Sequence, residues 1–115
     1  MATKIFLNLA VKDLSRSMDF FKSLGFKFEE KATDETAACL VITEDIYVML
    51  LTETKFTDYT PKQIADTSTT TEVMTCITVD SKEKVNEIVD KAISAGAAEN
   101  SKTQDFPSMY YRSFF

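Results

Sequence analysis

Histidine, the side chain most often used as a general base or metal ligand near neutral pH, occurs nowhere among the 115 residues. Ser-His-Asp and Cys-His nucleophilic catalysis are therefore beyond this chain acting alone, as is any His-containing metal site. Two thiols remain, Cys39 and Cys76. They are too few for a disulfide scaffold and lack metal-ligand spacing, which points to free thiols in a reducing compartment. No Lys or Arg lies within the strand segment of Cys76 to lower its pKa, so it reads as a small apolar wall residue. Carboxylates fall mostly in turns and on polar helix faces, as in Glu29-Glu30, Asp34-Glu35 and Glu83, where water solvates them, and no spaced acid pair stands out. Neither predicted helix is preceded by a Gly-rich loop able to cradle phosphate.

Binding chemistry is what these exclusions leave. Asn8 is an amide set between Leu7 and Leu9 in a β-type run, and burial there would oblige it to satisfy up to four hydrogen bonds. A ligand can take one of them; backbone or water can equally take all. Tyr110 and Arg112 share a face of the last β run and offer a phenol and a planar five-donor fork. That pair suits an anionic or aromatic ligand, and the Arg suits equally well an acid at a dimer contact.

Composition narrows the partners further. A hydrophobic content of 44% fits one compact domain with a buried core. The 13 basic and 18 acidic residues give a net charge of −5, the wrong sign for a nucleic-acid partner. No apolar run approaches the ~18 residues of a membrane span, and the opening residues carry no apolar targeting segment, so a membrane partner is excluded and a cytoplasmic location expected.

The elements that must position these side chains come in a pattern that starts twice. Lys4–Val11 reads as a strand, Asp13 as a helix N-cap, and Leu14, Met18, Phe21 and Leu24 as the apolar stripe of a helix over 13–24 closed by Gly25. Three β-type runs follow, Phe26–Glu30, Thr36–Ile42 and Ile46–Leu51. The stretch 53–71, rich in Thr and Asp, reads as a linker with one short helix opening at Thr60-Pro61-Lys62-Gln63. Then Glu72–Val79 is again a strand, Asp80-Ser81 again a cap, and Val85, Ile88, Val89, Ala92 and Ile93 again a helical stripe closed by Gly96. The β run Met109–Phe115 ends the chain one strand short of a second full copy.

A tandem β-α-β-β-β repeat with Val11-Lys-Asp-Leu-Ser-Arg-Ser-Met-Asp-Phe-Phe21 at its first helix, Leu24-Gly-Phe26 after it and Arg112-Ser-Phe-Phe115 near the end resembles the vicinal oxygen chelate superfamily, which includes glyoxalase I, the bleomycin-resistance proteins and the extradiol dioxygenases. The resemblance implies an α+β fold in which tandem modules curl a mixed sheet into a cup. Residues 1–115 would form one glyoxalase-like domain, with module one at 1–52, a linker at 53–71 and module two, lacking its last strand, at 72–115.

The resemblance also implies places for metal ligands. Where metal-dependent relatives hold a His on the opening strand, this chain has Phe6; where they hold an acid near the end of the fourth strand, it has Leu50, or one residue either way Met49 or Leu51; where they hold a His or Gln on the strand opening the second copy, it has Met74. Phenyl, isobutyl and a single thioether cannot hold a divalent catalytic metal against water. No cofactor is therefore expected. Phe6 and Asn8 on one strand and Met74 and Cys76 on its counterpart would line the cup together with Leu50, and Tyr110 and Arg112 would add polar contacts. The expectation is binding of a small organic molecule without metal or catalysis. The alternative is a metal-dependent, lactoylglutathione lyase-like enzyme, isomerase or dioxygenase drawing ligands from other residues or a partner chain. A homodimer is expected because such proteins commonly pair and because an incomplete second sheet leaves an edge to cover.

Overall fold

Strand β1 (Ile5–Val11) runs out at Lys12, and Asp13 turns the chain into helix α1 (Leu14–Ser23) by accepting a hydrogen bond from the Arg16 backbone N–H at 3.1 Å. The computed structural model describes residues 3–100, 104–106 and 109–115, the segment 104–106 by its backbone. It divides the chain into two compact units, Met1–Met74 and Thr75–Phe115.

In the first unit α1 stops where Gly25 takes φ +98°, a conformation that L side chains resist. The chain then forms β2 (Lys27–Phe28), a 3₁₀ turn (Glu30–Ala32), β3 (Ala37–Val41) and β4 (Ile46–Thr52). These make one mixed sheet in the order β1-β4-β3-β2, with β1 parallel to β4 and the other pairs antiparallel. The register sets Phe6 opposite Tyr47, Asn8 opposite Met49 and Ala10 opposite Leu51, while Ala37 and Cys39 of β3 face Leu51 and Met49.

Because strand side chains alternate, that register sorts the sheet into two faces. Ala38, Leu40, Val48 and Leu50 form a buried cluster with Leu14 of α1, and Leu7, Leu9, Val11, Met18, Phe21, Phe26 and Phe28 pack around it. Each fully buried aliphatic side chain contributes roughly 1.5–3 kcal/mol, so this face is where α1 is fastened. Phe6, Asn8, Tyr47, Met49, Leu51 and Ala37 belong to the opposite face.

The short helix of the 53–71 stretch sits earlier than its sequence suggests. Helix α2 (Glu53–Thr57) starts directly off β4, with Thr52 as N-cap accepting from the Lys55 N–H at 3.2 Å. Thr60 does accept from the Lys62 N–H at 3.1 Å, but no helix follows it. A single hydroxyl-closed turn without an apolar stripe has no packing to propagate it.

The second unit repeats the first through its helix and hairpin. Ser81 caps helix α3 (Lys82–Ser94), accepting from the Lys84 N–H at 3.1 Å, and Gly96 takes φ +110° after it. Two residues later Ala98 exchanges paired backbone hydrogen bonds with Phe115, both 2.8 Å, and the Asn100 N–H donates to Ser113 O at 2.9 Å. Strands β5 (Gln104–Phe106) and β6 (Met109–Tyr111) are antiparallel. In the first unit Lys27, two residues beyond Gly25, pairs antiparallel with Val41.

The strand expected over Glu72–Val79 is not formed among the described residues. A strand exists through its ladder partner, and β1 has a single one, β4. No described residue of the second unit fills the place of β4, so the segment lacks that neighbour. Val73 and Ile77 stay about half exposed and Met74 is 90% exposed. Among the described residues no helix is long and apolar enough to cross a membrane.

Candidate functional site

The face of the first sheet turned away from α1 is roofed at one end by α2 and the turn after it, and between them lies a cavity of about 580 Å³. Phe6 and Asn8 reach it from β1, Met49 and Leu51 from β4, Ala37 from β3, and Lys55, Phe56, Tyr59 and Thr60 from α2 and its exit. The space opens broadly to solvent, although its volume is that of a small-molecule site. Phe6 is held flat against Tyr47, with ring centroids 4.8 Å apart and planes 12° from parallel, and Lys4 stands 5.5 Å from the Tyr47 centroid. Asn8 is exposed, not buried between Leu7 and Leu9, so solvent reaches its amide, and its Nδ2 donates to Phe6 O at 3.3 Å. Lys55 lies 5.7 Å from the Tyr59 ring centroid and is the one charged side chain of the lining.

Of the residues singled out in the sequence, Phe6 and Asn8 stand in this cavity and Leu50 does not. Leu50 is 1% exposed in the cluster beneath α1, because the parallel register with β1 puts Met49 opposite Asn8 and Leu51 opposite Ala10. The cup position on β4 is therefore Met49 or Leu51. Lys55, Phe56 and Tyr59 went unnoticed in the sequence; the spacing Thr52-Glu53-Thr54-Lys55, a cap followed by an acid, is the signal that α2 folds back directly after β4.

The remaining candidates lie elsewhere. Met74 and Cys76 are exposed and are not among the residues lining this cavity, so Cys76 is a solvent-facing free thiol and no wall residue of it. Tyr110 and Arg112 are engaged inside the second unit. Tyr110 Oη donates to Asn86 Oδ1 at 2.8 Å, and the Arg112 fork grips Glu99 through Nε at 2.7 Å and Nη2 at 2.9 Å. Arg112 Nη1 also reaches Asn86 Oδ1 and Asp90 Oδ1, both at 3.1 Å. With its fork so occupied, Arg112 ties α3 to the hairpin instead of offering donors to a ligand. Its hydrogen bonds hold the Glu99 carboxyl below the usual range, and Glu99 in turn raises the guanidinium pKa.

The lining of the first-unit cavity is a poor donor set for a divalent cation. It holds one amide and one thioether but no carboxylate, imidazole or thiol, and its Lys55 ammonium repels a cation. Among the described residues no three Cys, Asp or Glu side chains gather anywhere. The nearby Cys39 thiol is buried, and burial, followed by the charge of Glu29, pushes its pKa up, away from the thiolate a metal needs.

A four-stranded mixed sheet with a capped helix on one face and a cavity on the other, followed by a second helix–hairpin unit, is the α+β arrangement of the glyoxalase/bleomycin-resistance fold. The family model for the bleomycin resistance protein-like N-terminal domain matches residues 3–43. A hypothetical protein of S. aureus is similar in structure with a TM-score of 0.79 and 28% identity over 99% of this chain and 85% of its own. A glyoxalase/bleomycin resistance protein/dioxygenase family enzyme from Burkholderia phytofirmans PsJN follows at 0.72 and 20% identity, over 98% and 89% of the two chains. TioX from Micromonospora sp. ML1 shares the fold at 0.54 and 20%, over 97% and 87%. No curated protein matches the sequence. The chain thus shares the fold of these proteins, and its residues 3–43 carry the bleomycin resistance protein-like N-terminal signature.

Proposed function

We propose that the protein binds a small organic molecule in the first-unit cavity and does so without a metal. The observation that carries this reading is the lining itself: about 580 Å³ bounded by Phe6, Met49, Leu51, Phe56 and Tyr59, with Asn8 and Lys55 as its polar handles and no hard metal donor set. Apolar walls with a few fixed polar groups favour desolvating and orienting an organic ligand. By the resemblance, metal-dependent relatives would place ligands at Phe6 and at Leu50 or a neighbour of it, and on this reading the framework serves burial in place of coordination. The protein works in the cytoplasm and as a homodimer on this reading, the latter giving a sedimentation mass of two 13.0 kDa chains.

The test pairs metal analysis with cavity filling. Protein purified from metal-supplemented growth should carry only substoichiometric divalent ion, and a screen of aromatic compounds by calorimetry should return one-to-one binders that Met49→Trp abolishes while leaving the unfolding midpoint within a few degrees. A stoichiometric, tightly held divalent ion would overturn the reading in favour of a lyase, isomerase or dioxygenase.

A further inference from the structure

We propose that the ligand of this cavity is a planar aromatic carboxylic acid whose carboxylate is met by Lys55. The inference rests on the binding reading above and goes on to the ligand's charge. Lys55 Nζ has no carboxylate within ion-pairing distance among the described residues, while the other lysine contacts with acids, those of Lys84 and Lys91, fall on the exposed face of α3. The cation stands half-buried on α2 at the rim of an apolar cavity, close enough to Asp34 to help lower that carboxyl's pKa but without a direct ion pair among the described residues. A partly buried ammonium without a direct ion pair can take an anion brought by the ligand, and charge-assisted hydrogen bonds are about twice as strong as neutral ones.

The rest of the lining argues for a flat ring attached to that anion. Phe6 stacks on Tyr47, and Phe56 and the largely exposed Tyr59 add two more ring surfaces, so an aromatic body finds edge and face partners here. An aromatic cation would also be drawn to such rings, but Lys55 already stands over Tyr59 and repels a second positive charge. Asn8 keeps its Oδ1 and its second Nδ2 hydrogen for a ring substituent, since its one described bond goes from Nδ2 to Phe6 O. The overall charge of −5 opposes anions at long range, so selectivity here comes from short-range contact and survives moderate salt.

Three naphthalene probes that differ in charge test this: the carboxylate, the carboxamide and the methylammonium. The chain has no Trp, so naphthalene fluorescence excited to the red of the four Tyr reports binding to the full-length protein, and calorimetry reads the Met49→Trp variant. The carboxylate should bind about tenfold more tightly than the carboxamide, and the methylammonium most weakly. Lys55→Met should erase the preference for the carboxylate while leaving carboxamide affinity unchanged, and Lys55→Arg should keep it. Equal binding of carboxylate and carboxamide, or a carboxylate affinity indifferent to Lys55→Met, overturns the proposal and leaves cavity binding standing. Failure of all three probes, together with no change on Met49→Trp, overturns both.

Discussion

Neighbouring residues on β4 should respond to the same truncation in opposite ways. Leu50→Ala removes three carbons from a side chain that is 1% exposed among Leu14, Ala38, Leu40 and Val48. At about 0.8 kcal/mol per buried methylene the transfer loss is about 2.4 kcal/mol, and a cavity term raises the whole to about 3–4 kcal/mol. For a chain of this size that lowers Tm by roughly 10–15 °C. Met49→Ala removes three heavy atoms from a side chain only half-buried on the far face, for a loss of about 1 kcal/mol, while opening the ligand cavity. Urea titration and calorimetry with an aromatic ligand separate the two. We expect Leu50→Ala to lose stability with ligand affinity nearly intact, and Met49→Ala to keep stability with affinity changed. Equal stability losses, or an affinity loss confined to Leu50→Ala, would refute the register and the assignment of faces built on it.

Three further outcomes follow from the geometry. Asp13→Ala and Ser81→Ala should each cost about 1 kcal/mol by removing a cap, and Gly25→Ala about 1–2 kcal/mol through its φ of +98° alone, since the added methyl meets nothing within 4 Å; denaturant midpoints measure all three. Under native conditions a thiol reagent should label exposed Cys76 promptly and Cys39 only on unfolding, because burial raises the Cys39 pKa and shields its sulfur; two fast-reacting thiols would contradict this. The Glu99 carboxyl is held below its ordinary 4.5 in the folded state by Arg112 hydrogen bonds, so its stabilisation is complete above that pH and is lost as pH falls through the lowered value. Protection factors of the Ala98 and Asn100 amides, corrected for the intrinsic exchange rate at each pH, should therefore fall in acid, and Glu99→Gln should flatten that dependence; an unchanged acid limb would show that Glu99 is not its source.

Much of this was legible in the sequence where local chemistry decides structure. Asp13 and Ser81 as caps, Gly25 and Gly96 as left-handed stops, and the stripe of Leu14, Met18 and Phe21 each act within a turn of the chain, and each stands as read. What was not legible depends on distant partners. Whether Met49 or Leu50 faces the cavity is decided by which residue of β1 lies beside it, and a one-residue slip in pairing exchanges the faces. Glu72–Val79 has the composition of a strand, but composition supplies no neighbour to pair with. Arg112 looks like a ligand donor until Asn86, Asp90 and Glu99 are brought around it by the packing of α3 on the hairpin. Lys55 reaches the cavity because α2 begins at Glu53, capped by Thr52 at the end of β4.

The parallel pairing of β1 with β4 also bears on how the first unit comes into being. Strands β3 and β4 are joined by the short turn around Thr43–Asp45 and can zip on the microsecond scale of a hairpin. Ile5 must wait for Ile46, and β1 closes the largest loop of the unit when it docks. During synthesis the amino-terminal strand is therefore left without its partner until β4 has left the ribosome. The cavity face, which needs Phe6 and Asn8 beside Met49, is assembled in that last step, so the binding proposed for it should appear with β1 docking and lag the formation of the β3–β4 hairpin.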